Sequence, residues 1–141
     1  MFMGWGKRSQ DSEQAYLTPP AIKDKYADWF DPCPHPRPEG FDGLEVDWGE
    51  KAFVNPPWRN IRPWVEKAMA QSKQGCCVHM LLAVVTSTRV FHDLILPNAK
   101  IEFIRGDVKY WNVKSGKIAK FPSMFVVFEA QTSPACPDVS A

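Results

Sequence analysis

Ile61, Trp64, Val65, Ala68 and Met69 recur at intervals of three and four, which places them on one face of a helix predicted over residues 61–73. Pro63 falls in its first turn, where a missing N–H does no harm, and Gly75 ends it. Ahead of this helix, Ala52-Phe53-Val54 reads as a short strand. Behind it, Cys76 to Val85 is almost wholly apolar and bounded by Gly75 and Thr86-Ser87-Thr88, the pattern of a central parallel strand buried on both faces. One of those three hydroxyls is expected to cap a further helix that Pro97-Asn98 stops. Lys100 to Arg105 and Asp107 to Val113 predict two strands, Ser115-Gly116 a turn, and the stretch through Met124 to Phe128 a last strand. Upstream, Ala21 to Tyr26 reads as a short helix begun by prolines, and Trp29 to Cys33 as the end of a first strand entering a loop. Strands alternating with helices predict an α/β fold with a mostly parallel sheet and an antiparallel hairpin at one edge.

Composition adds limits. A chain of 141 residues is one domain, with 45% hydrophobic and 23% charged residues, as in soluble globular proteins. The expected division is a loose segment over residues 1–15, one domain over 16–130 and a disordered tail over 131–141. No apolar run approaches the roughly 20 residues of a membrane span, and no basic-then-apolar leader opens the chain, so the expectation is a cytoplasmic protein without a membrane partner. Cys33, Cys76, Cys77 and Cys136 lack paired metal spacing and read as free thiols. A zinc site on Cys33 and His35 would want two more ligands, so no metal is expected. Charge is uneven: residues 1–50 hold five Lys/Arg against ten Asp/Glu, and residues 51–130 hold twelve against five. The basic second half suits a polyanion, although uneven surface charge is also common.

The chemistry concentrates at Asn55-Pro56-Pro57-Trp58, between the strand and the helix. Ligands of open α/β sheets bind beyond the carboxyl ends of strands, where this loop would sit. Two prolines remove two N–H donors and fix two φ angles, which leaves acceptors. The Asn55 side-chain oxygen and the Pro56 carbonyl could converge on one amino group, with the Trp58 ring as a platform for a flat heterocycle. Adenine fits, and stacking a base is worth about 1–3 kcal/mol against a few kcal/mol to extrude it. A rigid turn with a core tryptophan is the plain alternative.

Asn-Pro-Pro-Trp is a form of the (Asp/Asn)-Pro-Pro-aromatic motif of S-adenosylmethionine-dependent amino-methyltransferases. The chain resembles the small DNA N-6-adenine methyltransferases of the phage Dam type over about residues 16 to 130. Matching stretches fall in order: Tyr16-Leu17-Thr18-Pro19, Phe30-Asp31-Pro32-Cys33, Asp42-Gly43-Leu44 before Trp48, Phe53 to Trp58, Trp64 to Ala68 and Phe121-Pro122-Ser123-Met124. The resemblance implies a Rossmann-like fold and methyl transfer from S-adenosylmethionine to the N-6 amine of a flipped adenine in duplex DNA. It also implies the roles of particular residues. Asn55, Pro56, Pro57 and Trp58 would be catalytic. Thr18, Pro19, Asp31, Pro32, Cys33, Asp42 and Asn55 would hold the cofactor.

Local readings stand beside those roles. Thr18 is equally a helix cap; Asp31 is the first choice among the acidic residues for the cofactor, with a turn start before proline as its plain alternative. Asp42 is favoured over Glu45 and Asp47 for the ribose hydroxyls from its place in Asp-Gly-Leu. One departure from the family pattern is plain: where relatives carry a glycine-rich cradle, this chain reads Pro34-His35-Pro36-Arg37-Pro38, which cannot supply the N–H groups. Arg59, Arg62, Arg105, Lys109, Lys114 and Lys117 are candidates for DNA phosphates, Arg105 or Lys109 replacing an arginine that relatives often carry after Gly106. A homodimer is considered because so small an enzyme could need a second subunit to span its target. Two other functions stay open: a non-catalytic nucleic-acid-binding relative, and an amino-methyltransferase acting on RNA or another substrate.

Overall fold

In the computed structural model, which describes residues 15–131 and 136–139, five strands form one sheet. Most of the loose start expected over 1–15, and tail residues 132–135 and 140–141, lie outside the described residues. The strands are β1 (Tyr16–Leu17), β2 (Lys51–Val54), β3 (Cys77–Ala83), β4 (Lys100–Asn112) and β5 (Lys117–Phe128), in the spatial order β1-β4-β5-β3-β2.

Only β2 and β3 run parallel among these strands; β3–β5, β4–β5 and β1–β4 are antiparallel. This overturns the expected Rossmann-like, mostly parallel sheet: the fold is a small mixed sheet with few helices. The apolar run at β3 is buried as expected, but burial on both faces does not fix the direction of the neighbours. After the turn at Ser115-Gly116, β5 runs back along β4 and inserts between β4 and β3. The two strands predicted on either side of Gly106 are one long strand with an irregularity between Phe103 and Asp107, where Gly106 takes φ of 77°. A glycine suits that left-handed bend. The expected first strand shrinks to Phe30, which bridges Ala52 in parallel: its N–H donates to the Lys51 carbonyl at 3.0 Å, and its carbonyl accepts from the Phe53 N–H at 2.9 Å.

Helix α1 (Pro20–Lys23) is a single turn continued by a 3₁₀ turn over Asp24–Tyr26. Helix α2 (Arg62–Lys73) follows the predicted periodicity, burying Trp64, Val65 and Ala68. Gln71 and Ser72, polar in sequence, are buried as well; Gln71 Oε1 accepts the Trp48 backbone N–H at 2.9 Å and ties the long loop to the helix. The helix expected after Thr86-Ser87-Thr88 is a short wide turn, Phe91–Ile95, whose Phe91 N–H donates to Thr88 Oγ1.

Strand alternation feeds two cores. Ala52, Val54, Val78, Met80, Leu82, Met124 and Val126 join Trp48, Trp64 and Ala68 on the helix side. Phe53, Leu81, Phe125 and Val127 join Tyr26, Tyr110 and Val139 on the other. His79 belongs to this second side and is fully buried. Burial pushes its pKa down to about 4, the Pro137 carbonyl and Asp138 opposing, so the imidazole is neutral at physiological pH. Two of the four cysteines are not free thiols: Cys77 and Cys136 are joined as a disulfide, while Cys33 and Cys76 remain free. Spacing in sequence could not reveal a pair 59 residues apart.

Candidate active site

The alternation of β2 continues past its last residue. Phe53 and Asn55 face the same cavity, a space of about 170 Å³ on the side of the sheet away from α2. Its walls come from four places: Leu17 and Thr18 at the end of β1; Lys23, Tyr26 and Ala27 around the first helix; Trp29, Asp31, Cys33 and His35 beyond the Phe30 bridge; and Phe53 and Asn55. Strand pairing explains the convergence. Phe30 and β2 run parallel side by side, so Asp31 and Asn55 both emerge at carboxyl ends.

Asn55 is buried, and Nδ2 donates to the Tyr16 carbonyl at 2.9 Å and to Thr18 Oγ1 at 3.0 Å. A carbonyl only accepts, so the amide orientation is set and Oδ1 is held on the side away from β1. Thr18 therefore does not cap α1; Pro19 occupies that position, without a side-chain bond, and its carbonyl accepts from the Ile22 and Lys23 N–H groups. Pro19 is not among the cavity walls.

Asp31 is crowded on one side and open to solvent on the other. Desolvation raises its carboxyl above the usual range, opposed by the Cys33 N–H, which donates to Oδ1 at 2.8 Å, and by the Lys23 ammonium. The Cys33 thiol is pushed well up by burial and by the negative Asp31 and Asp42, with Arg37 opposing, so it is a neutral wall. Asp42 does not line the cavity; its Oδ1 accepts the Leu44 N–H at 2.9 Å. Its loop is seated from below: a Cβ on Gly43 would stand 1.9 Å from the Pro32 carbonyl oxygen, and the buried Trp48 indole donates to the Gly43 carbonyl at 2.8 Å. Pro32 is thus the surface on which that loop rests. Prolines follow Asp31, as the sequence reads, and of the acidic candidates Asp31 alone is a cavity wall, with Asp42 held in the loop that rests on Pro32.

Pro56 and Pro57 are buried, and Trp58 is half-buried. The Trp58 ring stacks on Tyr16 and meets Tyr110 and Phe121 at near-perpendicular angles. Trp58 Nε1 is enclosed, with no hydrogen-bond acceptor among the described residues. The core-tryptophan alternative therefore describes this conformation, and β1 lies over the platform.

The basic candidates do not line the cavity. Arg59 is exposed next to Trp58, and Arg62 forms a surface pair with Glu66 at 3.4 Å, worth little. Arg105, Lys109, Lys114 and Lys117 are exposed along the β4–β5 hairpin. Lys109 pairs directly with Lys120, and exposed Trp111 with exposed Ile118. Two cations side by side repel unless an anion lies between them.

Sequence reasoning missed Lys23, Tyr26, Trp29 and Phe53. Trp29 and Phe53 adjoin stretches already singled out, so proximity was a usable signal; Lys23 and Tyr26 reach the cavity through the path of the chain alone.

A family model described as DNA N-6-adenine-methyltransferase (Dam) matches residues 31–136. That span contains Asp31, Asp42, Asn55 to Trp58 and every basic candidate, and leaves Thr18 and Pro19 outside. No curated protein and no solved structure matches the chain.

Proposed function

The chain belongs to the DNA N-6-adenine-methyltransferase (Dam) family, and from that premise we propose that it transfers a methyl group from S-adenosylmethionine to the N-6 amine of a flipped adenine in duplex DNA. The observation that carries the proposal is the convergence of Thr18, Asp31 and Asn55 on one cavity. The residues suit the cofactor. Asp31 and Lys23 offer opposite charges to an amino-acid end, ammonium and carboxylate, while Tyr26, Trp29 and Phe53 offer apolar faces. When bound, S-adenosylmethionine supplies a methyl group on a sulfonium, electrophilic without further activation.

The chain's own residues then position and polarise. Asn55 Oδ1 and the Pro56 carbonyl accept from the adenine amine, which favours a pyramidal nitrogen whose lone pair can attack. Pro57 keeps the loop rigid. The amine proton leaves after the bond forms, so no strong base is needed, and His35 and the neutral Cys33 serve as walls. Trp58 stacks on the base once Tyr16 moves aside. Arg59 and the exposed hairpin cations Arg105, Lys109, Lys114 and Lys117 meet phosphates, which makes binding salt-dependent.

The test is titration calorimetry with S-adenosylmethionine, without and with duplex DNA, followed by labelled-methyl transfer to unmethylated duplex. Micromolar binding and methylated adenine are expected. Absence of cofactor binding in both arms would favour a nucleic-acid-binding relative without catalysis, a reading to which the covered Trp58 ring lends support. Methyl transfer to RNA in preference to duplex DNA would move the substrate.

A further inference from the structure

Cys77, His79 and Cys136 bring three ligand atoms within 4.8 Å of one another, the one such group of His, Cys or carboxylate ligands among the described residues. Cys77 and His79 are two apart on β3, so their side chains leave the same face of the sheet. Cys136 reaches them from beyond β5, where Val139 is buried against the same core. The geometry points to a transition-metal site: in the reduced chain, we infer, the Cys77 and Cys136 thiolates and His79 Nε2 bind one zinc ion, with water in the fourth position.

One separation already fits, and the two sulfurs part when the disulfide is reduced. Tetrahedral zinc with these ligands sets them about 3.4–3.8 Å apart, and Cys136 Sγ lies 3.7 Å from His79 Nε2. Histidine ligands usually anchor their other nitrogen. Here the Tyr26 hydroxyl sits 2.8 Å from Nδ1, so with Nε2 on the ion, Nδ1 carries the proton and donates to the Tyr26 oxygen. Cys77 and His79 are buried, and Cys136 is half-buried beside a cavity of about 60 Å³ lined by Asp138, Glu129 and Lys100. That cavity opens at Cys136, the side of the cluster from which an ion and a fourth-site water would enter.

The sulfurs are bonded to each other in the structure. Reduction by a small-molecule thiol adds two electrons and two protons; metal binding then releases the two protons, with no change in the ion's oxidation state. The expectation of a reduced pair rests on the DNA-methylating reading, since DNA lies in a reducing compartment where close cysteines are more often metal ligands than disulfides.

The test uses full-length protein, reduced and stripped by chelator, titrated with cobalt(II) and then zinc. The site predicts one equivalent of cobalt with a thiolate charge-transfer band and intense tetrahedral bands, bleached by zinc. Cys136→Ser and His79→Gln should each weaken binding at least about tenfold, and Cys33→Ser and Cys76→Ser should leave it unchanged. If His79→Gln fails to fold, Tyr26→Phe serves in its place, with a loss of about 10–100-fold expected. A reduced chain without the charge-transfer band, or one that binds cobalt as tightly in Cys136→Ser as in the unaltered chain, overturns the proposal. Labelled-methyl transfer is assayed separately: metal bound without methylation would keep the site and sink the function.

Discussion

The Tyr16 ring stacks on the Trp58 ring, with centroids 4.9 Å apart and planes 16° from parallel. A side chain of strand β1 thereby occupies a face that the proposed mechanism gives to adenine. An aromatic pair is worth about 0.5–1.5 kcal/mol, so removing Tyr16 should ease base entry by up to about tenfold. Tyr16→Leu, which keeps some packing, is expected to bind duplex more tightly when 2-aminopurine, whose fluorescence rises on flipping, replaces the target base. Weaker binding would mean that Tyr16 clamps the base itself.

Asn55 has a structural duty besides its proposed chemical one, since its Nδ2 hydrogens attach β1 at Tyr16 and Thr18. Asn55→Ala should therefore abolish methyl transfer and also lower stability in urea by about 1–3 kcal/mol, because buried acceptors lose their donor. Thr18→Val keeps the motif and removes one of the two acceptors: a stability loss of about 1 kcal/mol is expected, and, because Thr18 also lines the cavity, weaker cofactor binding with it.

The raised Asp31 carboxyl makes two opposite predictions. Ionised Asp31 is disfavoured by folding, so its contribution to stability is present at acid pH and lost as pH rises through the folded-state pKa; Asp31→Asn should slightly stabilise the ligand-free protein at neutral pH. Cofactor binding needs the charge. Affinity for S-adenosylmethionine should fall as pH drops through that same raised range, at higher pH than an ordinary aspartate would give, and calorimetry across pH should show the dependence vanish in Asp31→Asn.

Gly43 has no room for a methyl group above the Pro32 carbonyl. Gly43→Ala should lift the loop from Pro32 and destabilise the fold by about 1–3 kcal/mol, the cost of overpacking. Thermal unfolding measures it. Because Pro32 separates Asp31 from Cys33, cofactor affinity should drop as well.

Helix α2 was legible because its apolar spacing is local, and β3 because an unbroken apolar run between turn signals has few alternatives. Sheet topology was not. Nothing in Cys76 to Val85 says whether the chain beside it runs up or down, and β1 and the Phe30 bridge are too short to leave a pattern. The same division holds at the site. Asn55 to Trp58 stood out because prolines act on their own neighbourhood, while Lys23 and Tyr26 meet the cavity through tertiary packing. The stack of Tyr16 on Trp58 and the cluster at His79 join residues tens of positions apart, beyond any spacing rule.

Strand β2 is four residues long, and its parity decides what the motif can see. With Ala52 and Val54 turned to the helices, Phe53 and Asn55 turn to the cavity. Insert one residue into Lys51–Val54 and the asparagine swings into the greasy side beneath Trp64; insert two and it regains the right side but overshoots by about 7 Å. A length change in this strand therefore removes Asn55 from the cavity, while the hairpin tip around Ser115 can grow or shrink without moving it. Variation in what the protein contacts has room at the hairpin end, and the arrangement that would do chemistry is locked by a count of four.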